Sequence, residues 1–192
     1  MLVLASRSPR RLELLAQLGV DPVVDPADID ETPHAREDAL AYVERMAREK
    51  AVVVARRHPD GVVLAADTTI DVDGRILGQP RDESEARAML RLLSGRTHRV
   101  HTGVCVQRGP GDVQSTVVTS LVTFHPVTDE TLEWYIGTGE WQGKAGSYAV
   151  QGLGGTLVDG VRGSFSSVVG LPLRETAELL GLQGLRLPPG DG

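Results

Sequence analysis

The opening of the chain constrains everything after it. Leu2 to Ala5 is a short apolar run of the kind that forms a buried strand. Ser8-Pro9 then supplies a capping hydroxyl and a first-turn proline for a helix with leucines at 12, 15 and 18, closed by Gly19. A strand feeding directly into a helix points to an α/β fold. The charges in that helix are unusual: Arg10 and Arg11 fall in its first turn, where exposed N–H groups and the helix dipole favour anions. Each cation there costs roughly 0.3–1 kcal/mol. Two readings account for them. Ser6, Ser8, the free helix N–H groups, Arg10 and Arg11 together form a cradle for a phosphate-rich ligand, or the arginines are simply solvated on a surface helix.

The remaining elements alternate in type. After the Pro- and Asp-rich stretch from Asp21, Ile29 to Pro33 reads as a strand end followed by a loop that carries Asp30 and Glu31. A helix is expected over about Asp38 to Arg57, with Leu40, Val43, Ala47 and Val54 as its apolar stripe. Lys50 falls within that stripe, where it either snorkels to water or delivers one compact charge into a pocket. Val62 to Ala66 is apolar throughout, as in a central strand covered on both faces, and it is expected to end at Asp67-Thr68-Thr69. A carboxylate at such a strand end lies where α/β sheets bind ligands. Asp73-Gly74 signals a hairpin turn, Asp82 to Glu85 a capped helix start, and Thr128 the cap of a short helix. Val104 to Gln107 and Val113 to Phe124 form a long hairpin. His98 and His101, three apart on a strand, point to opposite faces and are read as structural.

Composition narrows the function classes. A formal charge of −6 argues against a general nucleic-acid or membrane-surface binder, so an anionic ligand must meet a local cluster of cations or a metal. Of 20 basic residues, Lys50 and Lys144 are the only lysines. The single Cys105 excludes an internal disulfide. With no signal peptide ahead of the first strand and no apolar run near the roughly 18 residues of a membrane span, a cytoplasmic protein is expected. One domain is expected over 1–184, with 185–192 as a disordered tail.

Several motifs together carry a family resemblance. Ser6-Arg7-Ser8-Pro9-Arg10-Arg11, Ala47-Arg48-Glu49-Lys50-Ala51, Ser94 to Gly103, Lys144 to Gly152 and Val168 to Pro172 resemble the Maf family of nucleoside triphosphate pyrophosphatases from about Leu2 to Leu180. That resemblance implies a Maf/ITPase-like α/β fold, a mixed elongated β-sheet flanked by helices with two lobes around a central cleft. It also implies hydrolysis of a nucleoside triphosphate to the monophosphate and pyrophosphate. Transferred residue by residue, it makes Asp67, Glu31 and Lys50 catalytic and Ser6, Ser8, Arg10, Arg11 and Gln79 substrate-binding, with Glu31 and Asp67 as ligands of Mg²⁺ or Mn²⁺. Asp67 is the choice for general base, and the sequence leaves open whether it is base, metal ligand or both. Gln79 departs from the family's usual lysine, and Trp141 and Gly143 replace the common proline and aspartate.

Arg10, Thr68 and Gln151 match the specificity positions of the dTTP/UTP branch, where the 7-methyl-GTP branch has an aromatic residue, Gln and Glu. Two alternatives stay open: a pyrophosphatase for modified or purine nucleotides such as 7-methyl-GTP or ITP, and a non-catalytic nucleotide-binding regulator of cell division. A homodimer is common in the family, and no stable nucleic-acid or membrane partner is expected.

Overall fold

Two-residue alternation along one long strand explains the architecture of the computed structural model, which describes residues 1–111 and 113–185. Strand β1 (Leu2–Leu4) feeds helix α1 (Pro9–Gln17), and β2 (Val23–Val24) returns beside it. Helix α2 (Ala39–Ala55) leads into β3 (Val62–Val72), whose hairpin partner is β4 (Arg75–Leu77). Helix α3 (Glu83–Leu93), β5 (Thr97–Arg108), β6 (Val113–Phe124) and α4 (Asp129–Gly137) follow. After two 3₁₀ turns come β7 (Val158–Arg162), α5 (Phe165–Val169) and α6 (Leu173–Leu182). The seven strands form one mixed sheet in the order β2-β1-β3-β5-β6-β7, with β4 paired to β3 beyond the end of β1. β1 runs parallel to β2 and β3, and the remaining pairs are antiparallel.

The first half of β3 is buried on both faces. Val62, Leu64 and Ala66 pack with Leu14 and Leu15 of α1 and Leu179 and Leu180 of α6. Val63 and Ala65 pack with Ala47, Ala51 and Val54 of α2. The second half enters another core, where Ile70 and Val72 meet Leu90 and Leu93 of α3 and Tyr135 of α4. β3 therefore spans two lobes, and Asp67-Thr68 marks the crossing.

Several expectations are corrected. The strand does not end at Asp67 but continues to Val72, because β-branched Thr68 and Thr69 stay in register with Thr102 and His101 of β5. Ile29 to Pro33 contains no strand; the pairing segment is Val23–Val24. Ser8 takes the N-cap backbone position with Pro9 behind it, yet its hydroxyl makes no cap bond. Leu12 and Leu40, expected in apolar stripes, are exposed, because the buried faces centre on Leu14-Leu15 and on Val43-Met46-Ala47-Lys50. Leu185, the first residue of the expected tail, is half-buried against the cluster that holds Leu179 and Leu180; positions 186–192 lie outside the described residues. The Asp73-Gly74 turn holds, with φ of 53° and 75°, and so do the Asp82 and Thr128 caps. His98 and His101 occupy opposite faces, His98 against Phe124 and Tyr148 and His101 bonded to Thr119.

Helix α2 lies directly on the sheet where β5 has Gly103: a Cβ there would come within 2.3 Å of the Val43 carbonyl oxygen. Gly103→Ala is expected to push α2 outward and cost about 1–3 kcal/mol. At roughly 2–4 °C per kcal/mol for a chain of this size, calorimetry should record a Tm loss of several degrees.

Candidate active site

The alternation that builds the core also sorts the site. Asp67 continues the odd-numbered face of β3 toward α2, where Lys50 stands in the buried stripe beside Ala47 and Ala51. Lys50 Nζ donates to Asp67 Oδ1 at 2.7 Å, and both residues are buried at 7% exposure. Glu31, on the loop after β2, brings Oε1 within 2.9 Å of the same ammonium. Tyr42 of α2 pins that loop by donating its hydroxyl to the Glu31 carbonyl at 2.9 Å. Burial pushes the Asp67 carboxyl above the usual carboxylate range, against the opposing pull of Lys50 and Arg11.

The even-numbered face looks toward α1, and Thr68 and Ser6 meet Arg11 there. The guanidinium donates from Nε to the Gly170 carbonyl at 2.9 Å and from its terminal nitrogens to Ser6 Oγ at 3.0 Å and Thr68 Oγ1 at 3.4 Å. Gly170 sits at φ 131°, a backbone state that side chains rarely adopt, just past the end of α5. Arg11 thus ties α1, β3 and the end of α5 together, while burial depresses its pKa. Ser8 donates its N–H to Ser6 Oγ at 3.2 Å, and α1 begins with no side-chain cap and no acidic residue in its first turn. That bare N-terminus, with Arg10 on it, lines the same cavity.

The cavity holds ≈570 Å³. Every residue expected at the site contributes to its wall: Ser6, Ser8, Arg10 and Arg11 from the strand-to-helix turn, Glu31, Lys50, Asp67 and Thr68 from the first lobe, and Gln79 and Gln151 from the second. Gln79 and Gln151 are both exposed. The glycine-rich segment is docked to the loop after β4 by the Gly146 N–H, which donates to the Gly78 carbonyl at 3.0 Å. Glu140 holds its far end, accepting from the N–H groups of Leu153 and Gly154 and from the Tyr135 hydroxyl.

Lys144 and Tyr148 are among the wall residues that the sequence reading does not assign to the site. Lys144 is half-buried with Nζ on the Gln142 carbonyl at 3.0 Å, and burial, together with the Arg10 charge, lowers its pKa. Its rarity and its place in a glycine-rich motif were the available signals. Tyr148 is a buried wall residue whose hydroxyl pairs with His98 Nε2 at 2.8 Å. Trp141, by contrast, is a core residue: its Nε1 donates to the Ile136 carbonyl.

A family model described as Maf-like protein matches residues 1–182. The chain belongs to the Maf family. It is 57% identical to a dTTP/UTP pyrophosphatase of Myxococcus xanthus over 188 residues, which is 98% of this chain and 95% of that protein. It is 54% identical to a dTTP/UTP pyrophosphatase of Alcanivorax borkumensis, covering 94% of each chain. A nucleoside-triphosphatase, dITP/XTP pyrophosphatase, of Mycobacterium abscessus is similar at TM-score 0.44 and 19% identity over 66% of this chain and 75% of that one. In this Maf chain the motifs quoted from Ser6-Arg11, Lys50, Asp67-Thr68, Lys144-Gln151 and Val168-Gly170 all reach one cavity wall. Among the described residues no helix is long and apolar enough to cross a membrane.

Proposed function

We propose that this chain is a nucleoside triphosphate pyrophosphatase acting on dTTP and UTP. One observation carries the reading: a single cavity gathers Arg10, Arg11, Lys50 and Lys144 around the carboxylates of Asp67 and Glu31. A net charge of −6 makes that local excess of cations a feature of the site and not of the whole surface. The relatives' names supply the substrates, and Arg10, Thr68 and Gln151 are consistent with them. A homodimer in the cytoplasm is the proposed setting, supported by the family resemblance and by the free, buried thiol of Cys105.

The bare N-terminus of α1, Ser8 and Arg10 hold the triphosphate from one side, and Lys144 approaches it from the second lobe. Lys144 supplies a charge on the side where Gln79 has none. Asp67 orients a water and accepts its proton as the water oxygen bonds the α-phosphorus; the bond from that phosphorus to the bridging oxygen breaks, and pyrophosphate leaves. Lys50 favours the ionised form of Asp67 against the burial that raises its pKa. Mg²⁺ or Mn²⁺ fits the donor set. Two carboxylates from different elements converge on one ammonium, and among the described residues no group of three or more His, Cys, Asp or Glu is placed to hold an ion alone. One or two carboxylates completed by substrate phosphates is the usual Mg²⁺ arrangement. Asp67 and Glu31 would hold the ion, which would neutralise charge on the phosphate oxygens.

Turnover in H₂¹⁸O tests the reaction. The label is expected in the nucleoside monophosphate, in a reaction abolished by a chelator and restored by Mg²⁺ or Mn²⁺; label in pyrophosphate or orthophosphate alone contradicts attack at the α-phosphorus. Arg10→Ala and Lys144→Met are each expected to raise KM about tenfold, the loss of one charge-assisted hydrogen bond, while changing kcat far less. Steady-state kinetics on UTP reads both.

A further inference from the structure

Behind Thr68, hydroxyl groups form a chain whose direction is fixed at its far end. The fully buried Thr102 of β5 has its Oγ1 2.8 Å from the Ser167 carbonyl oxygen and 2.9 Å from Thr68 Oγ1. A carbonyl only accepts, so the single Thr102 proton goes to Ser167. That carbonyl belongs to the last turn of α5. The N–H groups of Gly170 and Leu171, which follow it, both go to Ser166 instead. Among the described residues Thr102 is the donor to the Ser167 oxygen and no other serves it, so losing Thr102 leaves a buried carbonyl unpaired, an expensive state. With Thr102 committed, the Thr68–Thr102 contact requires Thr68 to be the donor. On its other side Thr68 already accepts from Arg11. Its proton is spent inward, and one lone pair remains on a hydroxyl of a residue that lines the cavity.

We infer that Thr102, acting with the Ser167 carbonyl, locks the Thr68 hydroxyl as an acceptor-only group that selects a nucleobase bearing an N–H at its central ring edge, the imide of uracil or thymine. Phosphate oxygens are acceptors and gain nothing from such a group, so Thr68 does not serve the triphosphate; of the donors on the nucleoside, the imide N–H is the one that UTP has and CTP lacks. Cytosine presents a lone pair where uracil presents its N3–H, and two facing acceptors repel. Gln151, whose amide offers both a donor and an acceptor, does not make that distinction by itself. Thr102 touches no substrate; it is a positioning residue for specificity. The inference rests on the proposed pyrophosphatase reading and adds to it the means of rejecting cytosine.

The test compares UTP with CTP, which share sugar and phosphates. In Thr102→Val the Thr68 proton loses its inward acceptor and turns to the cavity. KM for UTP is expected to rise about tenfold and KM for CTP to fall, collapsing the UTP preference, while Thr102→Ser keeps the wild-type ratio. Thr68→Val removes the lone pair itself and keeps the test open if Thr102→Val does not fold: UTP turnover at low substrate is expected to drop about tenfold with CTP unchanged or improved. An unchanged UTP to CTP ratio in both variants, or equal losses in kcat for the two nucleotides, overturns the inference while leaving the activity standing. A wild-type protein that releases pyrophosphate from neither nucleotide overturns both.

Discussion

Asp67→Asn is expected to lower kcat by about 10²–10⁴-fold, the range for removal of a positioned general base. Asparagine keeps the shape and still accepts the hydrogen bond from Lys50 through its amide oxygen, but it takes no proton from water. Lys50 also retains Glu31 at 2.9 Å, so the buried ammonium is not left alone. The fold should survive, with a circular dichroism spectrum and Tm close to wild type. Loss of turnover with an intact fold assigns the chemistry to Asp67; near-normal turnover would move the base elsewhere.

Lys50→Met is the second large effect, and it strikes stability as well as rate. It leaves the Asp67 carboxylate buried without its nearest cation, and breaking a buried pair from one side costs about 3–5 kcal/mol. Tm is expected to fall by roughly 10 °C at neutral pH, and kcat by at least about 100-fold. The stability deficit should depend on pH in a defined sense. A carboxyl whose folded pKa is raised contributes stability that is complete below the unfolded value of roughly 3.9 and is lost as pH climbs through the folded value. The gap between variant and wild type therefore narrows on acidification, as Asp67 takes up a proton. Thermal melts of both proteins across that range read it directly, and a gap constant in pH would deny that Asp67 is the group left uncompensated.

The wild-type rate profile carries the same signature. Burial raises the Asp67 pKa even with Lys50 and Arg11 beside it, and only the ionised form accepts a proton. The acid limb of kcat/KM is expected above the ordinary aspartate range, and higher still in the residual activity of Lys50→Met.

Much of this was legible because the relevant signals are local. The Leu2 to Arg11 run announced a strand, a helix start and an excess of cations. Lys50 stood out as a charge inside an apolar stripe, and the structure buries it against Asp67. The misreadings share a cause. Thr68-Thr69 looked like the end of a strand because polarity broke the apolar run, whereas the ladder with β5 carries β3 onward into the second lobe. Ser8 looked like a cap, but its N–H is drawn to Ser6 Oγ and its hydroxyl is left free of the helix. By sequence Arg11 is a ligand for phosphate; its three bonds to Ser6, Thr68 and Gly170 also make it a brace between β3 and α5. No spacing in the sequence announces a partner 159 positions away. Thr102 stands inside the Ser94 to Gly103 motif, but its role does not show there, since its meaning comes from two neighbours on separate elements.

The most direct test of the central claim is pyrophosphate release by the purified wild-type protein, with Mg²⁺ or Mn²⁺, across dTTP, UTP, CTP, GTP, ITP and 7-methyl-GTP. Release from dTTP and UTP far above the other four is the predicted result. Equal or greater release from the purine nucleotides would contradict the specificity assigned to Arg10, Thr68 and Gln151, and release from none would contradict the enzyme itself.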